Sequence, residues 1–237
     1  MKALLFAAGK GTRLKPFTDH HPKALAKVNG IPLLERNIRY LQAAGINDFV
    51  INVHHFGEQI IDFLESKQNF GANIQISNEK EELLETGGGL IFARPYLEDC
   101  QDFIIMNTDI LTDLNLIDFI QYHNDHQNLI TLAVSDRESS RKLLFNDENT
   151  LCGWMNKTTG EEKLIDTIDG LRELAFSGIH CVNTGIFDKI TRTGKFSIMV
   201  EYLDLMKTVQ IKGFEHKALI IDVGRPSSVL EAEKHFK

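Results

Sequence analysis

The chain is poor in the features that define several specialised classes of protein. Only three of its 237 residues are cysteine, and glycine and proline together account for 22. These low counts exclude a disulfide scaffold, a collagen-like helix and a disordered chain rich in glycine and proline. Cys100, Cys152 and Cys181 are odd in number and far apart. They therefore predict no metal site and indicate a reducing compartment.

Long apolar segments are also missing. No stretch approaches the roughly 18 apolar residues that a transmembrane helix requires. The N-terminal run from Met1 to Ala8 carries one early lysine and is too short for a signal peptide. We therefore expect a soluble cytoplasmic protein with no membrane partner.

An excess of basic residues, typical of nucleic-acid-binding proteins, is absent as well. The formal net charge is −7, which argues against nucleic acid as the main partner. The first 27 residues nevertheless carry a net charge of +5, and the rest of the chain carries −12. Such a segment is either a solvated basic loop or a binding site for a small anion. Its charged residues are Lys2, Lys10, Arg13, Lys15, Lys23, Lys27 and the single acid Asp19.

What the chain does contain is an alternation of apolar runs and helical patterns. With 43% hydrophobic residues and this length, it can form one large domain with its own core. Strand-like runs at 3–7, 49–54, 73–77, 103–106 and 130–135 are separated by helical segments, which predicts parallel βαβ units. Shorter strands at 142–145, 152–155 and 163–168 predict an antiparallel part. We expect an α/β fold with a Rossmann-like, open, mixed and mostly parallel sheet flanked by helices.

The segment Leu5-Phe6-Ala7-Ala8-Gly9-Lys10-Gly11-Thr12-Arg13-Leu14-Lys15-Pro16 follows the first predicted strand. Small glycines in such a loop let backbone N–H groups approach phosphate oxygens, and an arginine adds a fork of donors. The spacing is not that of the P-loop, and Leu14 stands where the dinucleotide fingerprint needs a third glycine. Taken alone, the segment favours a structural turn over a phosphate site.

The whole string, with Thr18 and Pro22-Lys23 after it, resembles the N-terminal signature of sugar-1-phosphate nucleotidyltransferases, which make nucleoside-diphosphate sugars. That pattern runs L-A-A-G-x-G-T-R-L-x-P-x-T and then P-K, and Phe6 replaces its leucine. The resemblance extends over almost the full chain and weakens between about 140 and 175. It implies one domain over 1–237, with a nucleotide-binding half at 1–135 and a sugar-binding half at 136–237.

The resemblance also implies roles for the residues of this loop. The backbone of Ala7, Ala8 and Gly9 is expected to lie against the nucleotide base. Gly11, Thr12 and Arg13 are expected to hold the triphosphate, with Arg13 on the leaving pyrophosphate. Lys23 is expected to bridge phosphates of the two substrates, so Arg13 and Lys23 are the predicted catalytic residues.

A second glycine-rich segment, Leu84-Glu85-Thr86-Gly87-Gly88-Gly89, precedes a predicted helix. It could be an ordinary helix entry, since Thr86 is a reasonable N-cap. Beside the first motif it resembles the family's second nucleotide loop, in the form closest to N-acetylmuramate-1-phosphate uridylyltransferases. Mannose-1-phosphate and heptose-1-phosphate guanylyltransferases carry related versions. The implied base contacts are Glu85 and Gly88.

Two aspartates follow predicted buried strands. Asp109 ends the run Ile104-Ile105-Met106-Asn107-Thr108-Asp109, and Asp222 opens Asp222-Val223-Gly224-Arg225-Pro226. The resemblance implies that both carboxylates hold Mg²⁺, which prefers oxygen ligands and keeps waters and substrate phosphates. It also implies that Asn107 contacts the nucleotide. Thr108 stands where the family has glycine, and this departure leaves the base or sugar preference open.

The sugar side is the least well marked. Lys157 lies where many relatives have Glu-Lys-Pro, but Asn156 replaces the glutamate and no proline follows. Lys157 is therefore either the sugar-phosphate lysine or a surface lysine of a hairpin. Gly178, in Phe176-Ser177-Gly178-Ile179-His180, resembles the family's glycine beside the sugar ring, and could also be a close-packed strand glycine.

These implied roles predict an Mg²⁺-dependent enzyme that joins UTP or GTP to a sugar 1-phosphate and releases pyrophosphate. The partners are then a nucleoside triphosphate and a sugar 1-phosphate, and the sequence leaves open whether the chain forms a homo-oligomer. Two alternatives stay open at this point. One is a sensor that binds nucleotide sugars without turnover, and the other is a cytidylyltransferase acting on a small alcohol phosphate.

Overall fold

The computed structural model describes residues 1–165 and 170–237 as an α/β fold with a ten-stranded mixed sheet. Six α-helices accompany the strands in the described residues. They are α1 (Leu33–Ala43), α2 (Gly57–Ser66), α3 (Glu85–Ala93), α4 (Leu116–Asp125), α5 (Ile198–Leu205) and α6 (Pro226–His235). None of the described helices combines the length and apolar character that a membrane crossing requires.

The strands are numbered in chain order. They are β1 (Lys2–Phe6), β2 (Lys27–Val28), β3 (Ile31–Pro32), β4 (Asp48–Val53), β5 (Asn73–Asn78), β6 (Asp102–Asn107), β7 (Ile110–Thr112), β8 (Ile130–Ser135), β9 (Arg141–Phe145), β10 (Leu151–Asn156), β11 (Glu161–Leu164), β12 (Arg172–Asn183), β13 (Ile211–Glu215) and β14 (Ile220–Asp222). The strand predicted at 163–168 extends into 166–169, which lie outside the described residues.

The parallel part of the sheet is formed by β5, β4, β1 and β6, in that order. The central strand β1 is apolar on both faces, and its residues Ala3, Leu4 and Leu5 are fully buried. Leu4 belongs to the core on one face of the sheet, while Ala3 and Leu5 belong to the core on the other. Continuous apolar runs are expected where helices cover both faces of a parallel sheet.

The antiparallel part is centred on the long strand β12, which pairs with β6, β8 and β9. The structure differs here from a simple succession of parallel units. Strand β8 does not pair with β6, because β12 lies between them, and β8 instead runs parallel to β13. The strand that was predicted to precede Asp222 is β14, and it pairs with β7 in a separate two-stranded sheet.

This topology brings several loop entrances to one edge of the sheet. Strands β1, β4 and β6 are parallel, so their carboxyl ends at Phe6, Val53 and Asn107 lie on the same edge. Open α/β sheets bind their ligands beyond the carboxyl ends of such strands. Strand β14 delivers Asp222 next to this edge through its pairing with Ile110 of β7.

Candidate active site

A cavity of about 380 Å³ lies at this edge of the sheet. Its wall includes residues that leave β1, β4 and β6, together with the start of α3. The lining residues are Phe6, Ala7, Ala8, Gly9, Lys23, Ala24, Asn52, Leu83, Glu85, Thr86, Asn107, Thr108, Asp109 and Ser197. The predicted residues Ala7, Ala8, Gly9, Lys23, Glu85, Asn107 and Asp109 are therefore gathered around one space.

The loop after β1 is folded tightly over the segment that carries Lys23. Gly11 adopts a left-handed φ of +61°, and a Cβ there would lie 2.9 Å from both Lys23 Cβ and Thr18 Cγ2. The Thr18 hydroxyl donates a 2.9 Å hydrogen bond to the Gly11 carbonyl. Position 11 therefore requires glycine, because a side chain there would displace Lys23. Thr12 and Arg13 are exposed on the outer side of this turn.

Four charged side chains meet beside the cavity. The Lys23 ammonium donates a short hydrogen bond to Asp109 Oδ2 and lies 3.7 Å from Asp222 Oδ1. Arg13 Nη2 lies 3.7 Å from Asp222 Oδ2. A Cβ on Gly224 would come within 2.8 Å of Asp222 Oδ1 and 3.0 Å of Arg13 Nη2, so the glycine leaves room for this pair. The four residues that were predicted from three separate motifs form one cluster.

The donor set of this cluster fits a magnesium ion held jointly by protein and substrate. Asp109 and Asp222 both have a carboxylate oxygen within 4 Å of the same lysine nitrogen. Within the described residues, no group of three or more His, Cys, Asp and Glu side chains is arranged to hold a metal. Two carboxylates completed by phosphate oxygens and water are the arrangement that Mg²⁺ commonly takes, rather than an all-protein cage.

The side of the cavity expected to hold the base is built on a buried carboxylate. Glu79, which follows β5, is 2% exposed. Its two oxygens accept hydrogen bonds from Asn52 Nδ2 at 2.5 Å and from the Leu84 amide at 2.9 Å. A Cβ on Gly89 would lie only 2.6 Å from Glu79 Oε1. Glu79 therefore fixes the glycine-rich loop and orients the Asn52 side chain at the cavity wall.

The two predicted base contacts have different surroundings. Glu85 lines the cavity and holds a φ of +60°, a strained conformation for a residue with a side chain. Gly88 lies outside the cavity lining, and its amide donates to the Phe196 carbonyl at 3.3 Å. A Cβ on Gly88 would collide with the Gly194 carbonyl. The contact that the structure gives Gly88 is thus close packing against the 193–196 segment, and its base contact stays a prediction.

A second cavity, of about 420 Å³, opens beside the first. The two share Thr86, Asn107 and Ser197, and the second also contains Asp222. Its wall is formed mainly by the antiparallel part of the fold, which supplies aromatic and cationic side chains. The further lining residues are Arg137, Ser139, Arg141, Leu143, Trp154, Phe176, His180, Ile198 and Met199.

The predicted sugar-side residues do not line this second cavity. Gly178 is buried with a φ of +77°, and a Cβ there would lie 2.7 Å from Ile110 Cγ1. It sits in an irregularity of the pairing between β12 and β8, so its positive φ shapes the strand. Lys157 lies on the hairpin and forms a 2.5 Å ion pair with Glu173, which raises the pKa of Lys157. Both sugar contacts stay predictions.

Sequence reasoning missed several residues of the two cavities. Asn52 is a polar residue inside the apolar run of β4, a pattern that could have identified it. Arg141 lies in the stretch where the resemblance weakens and Arg137 lies just before it, and nothing in their spacing distinguishes them from surface arginines. Thr108 lines the first cavity, but its hydroxyl donates to the Phe6 carbonyl at 2.8 Å and so joins β6 to β1.

Comparison with known proteins gives consistent matches. The sequence profile described as "Nucleotidyl transferase" matches residues 2–145. A mannose-1-phosphate guanyltransferase of Gibberella zeae is 30% identical over 97% of this chain. The chain spans 62% of the length of that relative. An N-acetylmuramate alpha-1-phosphate uridylyltransferase of Neisseria meningitidis is also 30% identical, over 98% of this chain and 97% of the relative.

Solved structures share the fold over the full length. The crystal structure of HddC from Yersinia pseudotuberculosis superposes with a TM-score of 0.82, covering 100% of this chain and 99% of that one at 25% identity. A UDP-glucose pyrophosphorylase complexed with UDP-glucose superposes with a TM-score of 0.81 at 18% identity. At that lower identity the match establishes the fold alone.

Proposed function

The chain belongs to the nucleotidyl transferase family, and from this we propose that it joins a nucleoside triphosphate to a sugar 1-phosphate, forming a nucleoside-diphosphate sugar and pyrophosphate. The observation that supports this most strongly is the cluster of Lys23, Arg13, Asp109 and Asp222 at the junction of two cavities. One cavity suits the nucleotide and the other suits the sugar, with the phosphates meeting between them.

The reaction requires little covalent chemistry from the protein itself. A phosphate oxygen of the sugar 1-phosphate attacks the α-phosphorus in line, a new P–O bond forms, and the bond to the β-phosphate breaks with its electron pair leaving on pyrophosphate. The nucleophile is already an anion, so no general base is required. Catalysis then consists of bringing two polyanions together and neutralising the charge that develops on the leaving group.

The positions of the charged residues suggest a different role for each of them in this task. Lys23 is largely buried between the two carboxylates, so its ammonium is held where the reacting phosphates meet. Arg13 is more exposed, on the rim of the loop, and suits the outer phosphates that leave as pyrophosphate. Asp109 and Asp222 would hold Mg²⁺, which when bound neutralises phosphate oxygens and favours in-line attack.

The base and the sugar are the parts of the proposal that the relatives leave open. Of the relatives compared, one is named as a guanyltransferase for mannose 1-phosphate and one as a uridylyltransferase for N-acetylmuramate 1-phosphate. We therefore propose UTP or GTP as the nucleotide. We propose that the Asn52 amide and Glu85, which both line the first cavity, distinguish between them.

The test is pyrophosphate release with Mg²⁺, measured for each nucleoside triphosphate against a panel of acceptors. The panel contains N-acetylmuramate, mannose, heptose and glucose 1-phosphates, with choline phosphate as an alcohol phosphate. We expect release with UTP or GTP and one of the sugars. Release only with CTP and choline phosphate would replace the sugar by an alcohol acceptor. Tight nucleotide binding without release from any pair would contradict the proposed activity and favour a sensor.

A further inference from the structure

The second cavity raises the question of which side chains hold the acceptor's phosphate. This phosphate must reach the nucleotide's α-phosphate next to Asp109 and Asp222. Asp222 belongs to the wall of the second cavity, and Asn107 and Thr86 belong to both walls. An acceptor in the second cavity therefore has its phosphate near their junction, where positive charge is needed.

The positive charge of the second cavity comes from two arginines. Among the described residues, Arg137 and Arg141 are the only lysine or arginine side chains that line it, and Asp222 is the only acidic one. The fourth titratable group, His180, is fully buried against Tyr202, and burial lowers its pKa to about 3. His180 is thus neutral at working pH, and an anion in this cavity meets the two guanidinium groups.

Arg137 is held in place by the strands around it. Its Nη2 donates a 2.8 Å hydrogen bond to the Phe176 carbonyl of β12, and its own carbonyl accepts a 2.8 Å hydrogen bond from the buried Lys142 ammonium. Its Nε is buried without a hydrogen-bond partner. Burial lowers the pKa of Arg137, and the charge of Asp222 opposes that shift. A desolvated guanidinium of this kind interacts strongly with an anion.

Arg141 is held less tightly and faces the same space. It begins β9, four residues after Arg137, and its side chain is exposed. Across the described part of the chain, its guanidinium forms no ion pair and no hydrogen bond with another residue. It is therefore free to turn toward an incoming anion. Lys157, the lysine expected for this role, is instead paired with Glu173 and lies outside the cavity lining.

We propose that Arg137 and Arg141 bind the phosphate group of the sugar 1-phosphate, in the role that the family resemblance gave to Lys157. A phosphate monoester carries a charge of about −1.5 to −2 at pH 7 and offers three acceptor oxygens. The planar fork of a guanidinium matches two of those oxygens at once. Arg137 supplies the fixed contact and Arg141 the mobile one. This inference rests on the proposed nucleotidyl transfer.

The test measures KM for each substrate separately, using the acceptor found by the panel above. We expect Arg141→Gln to raise KM for the sugar 1-phosphate tenfold or more, the range for loss of a charged hydrogen bond, while KM for the nucleoside triphosphate stays within twofold. Arg141→Lys should recover part of the loss. In the reverse direction KM for pyrophosphate should be unchanged, because pyrophosphate lies on the Arg13 side. Arg137→Lys should raise acceptor KM while circular dichroism verifies its fold.

Control variants distinguish a loss of phosphate binding from other causes of a raised acceptor KM. Arg39→Gln, on the exposed face of α1, controls for loss of surface charge. The inference is overturned if Arg141→Gln and Arg137→Lys both leave acceptor KM unchanged, or if Lys157→Gln raises it while they do not. A penalty confined to acceptors that also carry a carboxylate, such as N-acetylmuramate 1-phosphate, would assign the arginines to the sugar rather than to its phosphate. Absence of turnover in the wild-type protein would overturn the proposed function itself.

Discussion

At the scale of single residues, Lys23 has the most consequential position. Its side chain is only 12% exposed, and its ammonium lies within 4 Å of carboxylate oxygens of both Asp109 and Asp222. An ammonium with two carboxylate neighbours is well stabilised in the absence of substrate. We propose that, when phosphates bind, the same ammonium contacts them while the carboxylates hold the metal. Lys23 can therefore exchange one set of partners for another without leaving the site.

Replacing Lys23 by glutamine tests this role. We expect Lys23→Gln to reduce kcat by about 10²–10³-fold, the range seen when one donor to a developing negative charge is removed. Its affinity for Mg²⁺ alone should not fall, because the competing ammonium has gone. Steady-state pyrophosphate release and calorimetry with Mg²⁺ measure the two quantities. Lys10→Gln, an exposed lysine in the same loop, is the control. A normal kcat in Lys23→Gln would remove the lysine from the mechanism.

At the scale of elements, strand β12 connects the nucleotide and sugar sides. It pairs with β6 on one side and with β8 and β9 on the other. Its residues Phe176 and His180 line the second cavity. His180 Nδ1 and the Tyr202 hydroxyl of α5 are 2.7 Å apart, and both residues are buried. The position of β12 against α5 therefore depends on a neutral imidazole.

The burial of His180 predicts a loss of stability in mild acid. The pKa of His180 falls from 6.5 to about 3 on folding, so the unfolded state binds a proton in the range where the folded state does not. The unfolding free energy is then fully present above pH 6.5 and decreases as the pH falls toward 3. His180 alone should account for about 2 kcal/mol lost by pH 5. The pKa values of His123 and His216 are also lowered by burial, and they act in the same direction.

Urea unfolding at pH 7.5 and pH 5.0 checks this expectation, and the NMR titration of the His180 ring assigns it. We expect its C2 proton to show no titration above pH 4. An imidazole that titrates near pH 6.5, or equal unfolding free energies at the two pH values, would contradict the account of this contact.

The elements also differ in how far the sequence predicts them. The i, i+4, i+7 spacing of Leu34, Ile38 and Leu41 is typical of a helix, and all three side chains lie on α1 and are buried in one core. The apolar runs of β1, β4 and β6 were confirmed with boundaries shifted by about one residue. Strand β13 and the insertion of β12 between β6 and β8 were missed. Strand order depends on pairing between distant segments, which local patterns do not encode.

The residues of the candidate site likewise include some that were predicted from the sequence and some that were missed. The four residues of the cluster around Lys23 were predicted from three motifs whose resemblance to the family implied their roles. Asn52 and Arg137 were missed because their roles depend on neighbours far along the chain. Asn52 is oriented by Glu79, and Arg137 is held by Phe176 and influenced by the charge of Asp222. Where a role depends on such a tertiary contact, the residue type alone is ambiguous.

At the scale of the whole molecule, the charge distribution fits the proposed reaction. The chain is acidic overall, with a net charge of −7, yet its first 27 residues are cationic and contain the loop beside the charge cluster. A net negative charge discourages nonspecific binding of nucleic acid, and a cationic N-terminal segment favours the approach of small anions. We infer that both substrates enter along one edge of the sheet, one in each cavity.

The most direct test of this account follows both products of the reaction in wild-type protein and in Asp109→Asn. With the nucleotide and acceptor from the panel, ³¹P NMR resolves nucleoside-diphosphate sugar, pyrophosphate and orthophosphate in one sample. We predict equal amounts of nucleotide sugar and pyrophosphate from the wild type, and at least a hundredfold slower formation of both by Asp109→Asn with its fold and nucleotide binding retained. Release of orthophosphate without a nucleotide sugar, or normal turnover by Asp109→Asn, would contradict it.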